Sequence, residues 1–178
     1  IGVTGTNAAN LIAQKADLVI CVGSRLSDFT TASKTLFNNR DVKFISINVS
    51  SFDAHKHSSL SLVGDAKACL EDLNIRLNNE SFTVSQHYEK EIVNLKKEWD
   101  KEVNRIFHLN NEPKISQGEV IGMVSSFMRE EDTVVGAAGS LPGDMHKLWR
   151  TKNGNQYHME YGYSCMGYEV AGGIGIRM

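Results

Sequence analysis

Two kinds of apolar run alternate along the first eighty residues. In AANLIAQKA, residues 8–16, Ala9, Leu11, Ile12 and Ala16 suit one face of a short helix. In DLVICVG, 17–23, Leu18 to Val22 are continuously apolar, which predicts a strand covered on both faces, as in a parallel sheet under helices. SRLSDFTTASKTLF follows as a loop of mixed polarity. VKFISINV, 42–49, predicts a second buried strand, and Leu60–Val63 a weaker third. A helix over Asp65–Leu77 comes next, with Asp65 as its N-cap. This alternation of strand and helix predicts a doubly wound, Rossmann-like α/β layer with a parallel sheet.

The pattern changes near Asn78. NNESFTVSQ is polar and turn-rich, and Tyr88–Phe107 is a charged helix with Ile92, Leu95, Trp99, Val103 and Ile106 on one stripe. A second α/β unit begins at Pro113. Ile115–Met128 predicts a helix in which Ser116 and Glu119 form a capping box. TVVGA, 133–137, is a buried strand, AGSLPGDMHKLW turns into another helix, and Tyr157–Met178 starts strand-like and ends as a helix of small residues. The organisation expected is therefore 1–78, a helical linker over 79–112, and 113–178.

Composition narrows the classes of function. The 178 residues are 41% hydrophobic and 22% charged with a formal net charge of −2, so no basic excess invites nucleic acid. No apolar run approaches the roughly 18 residues of a membrane span. Cys21, Cys69 and Cys165 are widely spaced and odd in number, which predicts reduced, mostly buried thiols in a cytoplasmic protein. Ile1 opens without an initiator methionine and Met178 stops inside an unfinished amphipathic pattern, so the chain is expected to be a fragment of a longer protein.

Three places invite chemistry. Ligands of doubly wound sheets sit at the carboxyl ends of strands, where Gly23-Ser24-Arg25 and Asn48-Val49-Ser50 fall; Arg25 is a candidate phosphate partner there. No GxGxxG follows a strand, and pairing of Arg25 with Asp28 or with a neighbouring domain is the favoured reading. Gly139, Ser140 and Gly143 lie in a strand-to-helix turn that either offers N–H groups to an anion or is an ordinary βα turn. In the closing stretch, Gly167, Gly172, Gly173 and Gly175 permit close approach of a ligand or of a second helix. His55 and His57 lack partners at metal-site spacing, and His87 and His108 read as surface or packing residues.

The pieces GVTGTNAAN, ADLVICVGSRLSDF, KFISINVSSFDAHKH and VGDAKACLEDL, in that order, resemble the central domain of the thiamine-diphosphate-dependent enzymes of the acetolactate synthase and pyruvate oxidase type. AAGSLPGDMHKLWR and YHMEYGYSCMGYEVAGGIGIRM are similar to the start of that family's diphosphate-binding domain. Their composition is closest to a branch that hydrolyses a polyhydroxylated cyclic 1,2-diketone in inositol catabolism. Relatives that make acetolactate carry a different run after the shared Met-Gly step, where this chain has Tyr168-Glu169-Val170-Ala171-Gly172.

The resemblance implies a thiamine-diphosphate-dependent C–C bond hydrolase yielding an open-chain deoxy sugar acid. Met166 matches the residue wedged between the cofactor's two rings, Ser164 the residue whose carbonyl accepts from the aminopyrimidine, and Gly167 the glycine beside them. Gly139, Ser140 and Leu141 match the turn at the diphosphate, although the glutamine and histidine side chains of relatives are missing. His158, Glu160 and Tyr161 are candidates for facing the substrate, against the alternative of pointing into the core. The resemblance places the Mg²⁺ motif beyond Met178 and the activating glutamate in an N-terminal domain. No complete catalytic set and no metal ligands are therefore expected in this chain, which alone would be nearly inactive. A homodimeric or homotetrameric parent is implied, acting on a small molecule, with neither nucleic acid nor membrane as partner. The rival readings are an acetolactate synthase-like carboligase or decarboxylase, an FAD- or ADP-binding module built on the first half, and a structural piece with an exposed apolar end.

Overall fold

Thr6 starts the first helix, its hydroxyl accepting the Ala9 N–H at 3.2 Å, and α1 runs Asn7–Lys15 in a computed structural model that describes residues 1–178 and divides into a unit of 1–98 and one of 99–178. Just before it, Gly2 holds φ at 83° and lies so close to α2 (Asp28–Thr31) that an added Cβ would sit 2.0 Å from the Phe29 carbonyl oxygen. Only glycine fits there. The Asn10 side chain clasps both backbone groups of Gly2, accepting its N–H at 2.8 Å and donating to its carbonyl at 3.0 Å. The opening GVTGT is thus folded onto unit 1 as part of its structure.

Three strands, β1 (Leu18–Val22), β2 (Lys43–Asn48) and β3 (Leu60–Val63), form a parallel sheet in that order, with Ile20 opposite Ile45 and Ile45 opposite Leu60. Between β2 and β3 lies the short α3 (Ser51–Ala54), capped by Ser50. After β3, the Asp65 carboxylate accepts the Ala68 N–H at 3.0 Å and starts α4 (Ala66–Asn79), as the sequence predicts. One sheet face buries Cys21, Ser46 and Asn48. The other buries Ile47 but leaves Leu18, Ile20 and Val22 of β1 and Leu60 and Leu62 of β3 between 41% and 65% exposed. The expectation of a first strand covered on both faces is corrected: on that face only Ile47 of β2 is fully buried, and β1 stays open.

The loop expected over 24–37 contains α2, which Ser27 caps and a left-handed Ala32 ends. Cysteine burial differs as well. Cys21 is buried, Cys69 half-buried and Cys165 exposed, because Cys165 lies in a loop and not on an apolar face.

The long helix α5 (Gln86–Phe107) starts two residues before the predicted span. Its far end joins unit 2, where Val103 packs with Ile121, Met145 and Leu148, flanked by Trp99, Ile106 and Phe107. Unit 2 then reads α6 (Gln117–Phe127), β4 (Val134–Gly136), α7 (Ser140–Leu148), β5 (Tyr157–Met159) and α8 (Tyr168–Arg177). The predicted capping box opens α6: Ser116 accepts the Glu119 N–H at 3.2 Å and the Glu119 carboxylate accepts the Ser116 N–H at 2.9 Å. β4 and β5 are parallel, with Val135 opposite His158 and Gly136 opposite Met159.

Candidate functional site

Parallel pairing brings the carboxyl ends of β4 and β5 to one edge, so the segments that leave them lie side by side. The Glu160 N–H donates to the Gly136 carbonyl at 3.0 Å, continuing the ladder one residue past β5. The first segment, Ala137 to Gly139, leads into α7. The second, 160–167, leads into α8.

Gly139 adopts φ 102° and ψ −168°, a conformation reserved for glycine, and is the N-cap of α7 without any side-chain cap bond. The first-turn N–H groups of Ser140 and Leu141 have no acceptor within the helix, and Pro142 offers none. Gly139, Ser140 and Leu141 are exposed, and a Cβ added at Gly139 would meet no atom within 4 Å. The turn thus presents two N–H groups, the Ser140 hydroxyl and the positive end of a helix to open space, a combination that suits an anion.

Segment 160–167 is tied down at its base and open at its tip. Glu160 accepts the Tyr163 N–H at 2.9 Å through one carboxylate oxygen and the Cys165 N–H at 3.1 Å through the other. These backbone hydrogen bonds, Tyr163 first, hold its carboxyl below the usual glutamate range. Ser164, between the two donors, sits at φ 55°, a left-handed conformation that costs a serine about 1–2 kcal/mol. Gly167, at φ 87°, caps α8. The Met166 side chain is 90% exposed, and a Cβ at Gly167 would meet nothing within 4 Å.

His158 and Tyr161 turn to neighbours. His158 Nε2 is hydrogen-bonded to the Tyr168 hydroxyl at 2.7 Å, and the two rings stack 5.8 Å apart. Tyr161 meets the His146 ring edge-on at 5.2 Å, and His146 Nδ1 is 3.3 Å from the Tyr157 hydroxyl, whose pKa burial pushes up to about 12. Tyr168 received no role from the sequence, although it closes this lock at the first turn of α8. No periodicity could have signalled a contact between a strand residue and the residue ten positions on.

In unit 1, Arg25 makes no ion pair with Asp28. Lys56 occupies this corner, donating to the Arg25 carbonyl at 2.8 Å and pairing with Asp53 at 2.8 Å. Asp53 is held below its ordinary value chiefly by that Lys56 bond, with a smaller contribution from the Arg25 charge. His55 spends both ring nitrogens on Ser51 and Ser61, at 2.7 and 3.0 Å. No cluster of three or more His, Cys, Asp or Glu side chains could hold a metal ion, and no helix is long and apolar enough to cross a membrane.

Unit 2 thus brings to one sheet edge an uncapped helix end that suits an anion, a left-handed serine and an outward methionine in the adjoining loop. Comparison with known proteins bears on what such an edge serves. Residues 1–73 match the family model of the thiamine pyrophosphate enzyme central domain. Over its whole length the chain is 44% identical to a 3D-(3,5/4)-trihydroxycyclohexane-1,2-dione hydrolase of Clostridium tetani, 45% to one of Clostridium botulinum and 42% to one of Bacillus thuringiensis. It spans 31% of the length of each of these curated relatives.

Proposed function

We propose that the chain belongs to the thiamine pyrophosphate enzymes, whose central-domain model its residues 1–73 match, and that it supplies one wall of the thiamine diphosphate site in a hydrolase of a polyhydroxylated cyclic 1,2-diketone. The observation that carries the reading is the shared edge of β4 and β5, which sets the Gly139–Leu141 turn beside the 160–167 loop. The turn would hold the diphosphate through the N–H groups of Ser140 and Leu141 and the Ser140 hydroxyl. The loop would hold the rings, with Met166 between them and the Ser164 carbonyl as an acceptor for the aminopyrimidine, beside Gly167. When bound, the cofactor supplies an electron sink for the carbon freed as the ring C–C bond breaks.

The chain's own work is positional. Met166 is unbranched and adaptable, suited to an irregular gap, and a fixed ring geometry replaces a search among conformers. Tyr157, Tyr161 and Tyr168 place their rings against His146 and His158. Mg²⁺, the residues that ligate it and the acid that activates the cofactor come from parts of the enzyme outside these 178 residues. The assembled enzyme is cytoplasmic and homo-oligomeric.

The test is substrate choice in the full-length protein. Trihydroxycyclohexane-1,2-dione should be opened to an acid only with thiamine diphosphate and Mg²⁺ present, and Met166→Ala should weaken cofactor binding about tenfold or more in calorimetry. Conversion of pyruvate to acetolactate, with the diketone untouched, would overturn the reading in favour of a carboligase.

A further inference from the structure

The 160–167 loop has to hold an energetically unfavourable shape. It contains a serine at φ 55°, a glycine at φ 87° and a methionine side chain that touches almost nothing. Left to itself, such a segment would sample many conformations, and ordering it would cost about 1 kcal/mol or more per residue at the moment of binding. Glu160 is the group that removes that freedom in advance.

Its backbone is locked to the sheet by the bond to the Gly136 carbonyl at 3.0 Å, so its side chain projects from a rigid base. Its two oxygens then receive the N–H groups on either side of Ser164, from Tyr163 and Cys165. An ionised carboxylate has two acceptor oxygens and no donor, and bonds to it are about twice as strong as neutral ones. The far end of the loop is held separately, by the His158–Tyr168 bond at 2.7 Å and by the Glu169 carboxylate, which accepts the Gly167 N–H at 3.1 Å.

We propose that Glu160 is a positioning residue, whose carboxylate arches the loop so that Ser164 and Met166 stand ready for the cofactor before it arrives. The inference rests on the reading of this loop as a cofactor wall. It assigns Glu160 to the loop, because each of its two oxygens already accepts a backbone N–H that flanks Ser164.

Glu160→Gln separates the possibilities in the full-length protein. Its amide keeps one acceptor and turns a donor towards the second N–H. The dissociation constant for thiamine diphosphate should rise about tenfold, the loss of one hydrogen bond to a charged group. Amide exchange at Tyr163 and Cys165 should quicken, and at saturating cofactor the KM for the diketone should stay as it was. Glu160→Asp, which retains two anionic oxygens, should fold and fall between wild type and Gln. A raised KM with unchanged cofactor affinity would overturn the proposal and make Glu160 a substrate contact. Unchanged affinity with unchanged exchange would overturn it too. If Met166→Ala leaves cofactor affinity intact, the underlying reading of the loop fails, whatever Glu160 does.

Discussion

Glu119 is 5% exposed, yet carries a carboxylate at the start of α6. It is tolerated there because every face of the group is answered: the Ser116 N–H and hydroxyl bond it at 2.9 and 2.8 Å, and the Asn111 N–H at 3.2 Å. Those bonds, Ser116 foremost, lower its pKa in the folded state. A lowered carboxyl stabilises the fold above its unfolded value, near 4.3, and that contribution disappears as pH falls through the folded value. Glu119→Gln should therefore melt below wild type at pH 7, and the gap should close below about pH 4.3, as differential scanning calorimetry of the two proteins across pH would record. A gap independent of pH would mean that packing, and not the charge, holds α6.

At the scale of elements, α6 meets the end of α5 through two glycines. A Cβ at Gly118 would fall 2.4 Å from Ile106 Cγ2, and one at Gly122 would fall 2.6 Å from the Phe107 ring. These glycines are contact surfaces, since neither has the positive φ that would demand the residue for its backbone. Gly118→Ala gains about 1 kcal/mol of helix propensity and pays for overpacking with about 1–3 kcal/mol, because β-branched Ile106 has little rotamer freedom with which to yield. The net effect should be a loss of about 1 kcal/mol, seen as a melting temperature some 4–8 °C lower. In an Ile106→Ala background, where the space is open, the cost of Gly118→Ala should shrink or change sign, as a double-mutant cycle would show.

For the whole molecule, the open face of the first sheet is the largest departure from the pattern of its sequence. Leu18, Ile20, Val22, Leu60 and Leu62 lie on one face and stay 41–65% exposed, and parallel sheets normally carry cover on both faces. Apolar surface of this kind drives association in water. The 178-residue chain alone should self-associate with rising concentration in sedimentation velocity, and Ile20→Lys with Leu62→Lys should suppress it without changing the far-ultraviolet circular dichroism. A wild-type chain that stays monomeric at high concentration would contradict this.

The local elements were determined by the sequence alone. Strands at 18–22, 43–48 and 60–63 follow from apolar runs, and the helix starts at Thr6, Asp65 and Ser116 follow from side chains that cap within three residues of themselves. The resemblance of the closing stretch also rested on residue order, because its glycines and Met166 are adjacent in the chain. Tertiary structure decided what depends on distant partners: which sheet face is covered, that Lys56 pairs with Asp53 while Arg25 makes no ion pair with Asp28, and that His158 faces Tyr168. It also decided where the Glu160 carboxylate is held. Hydrogen bonds from a strand end to a loop have no period, so only the fold reveals that this acid is spent on the backbone on either side of Ser164.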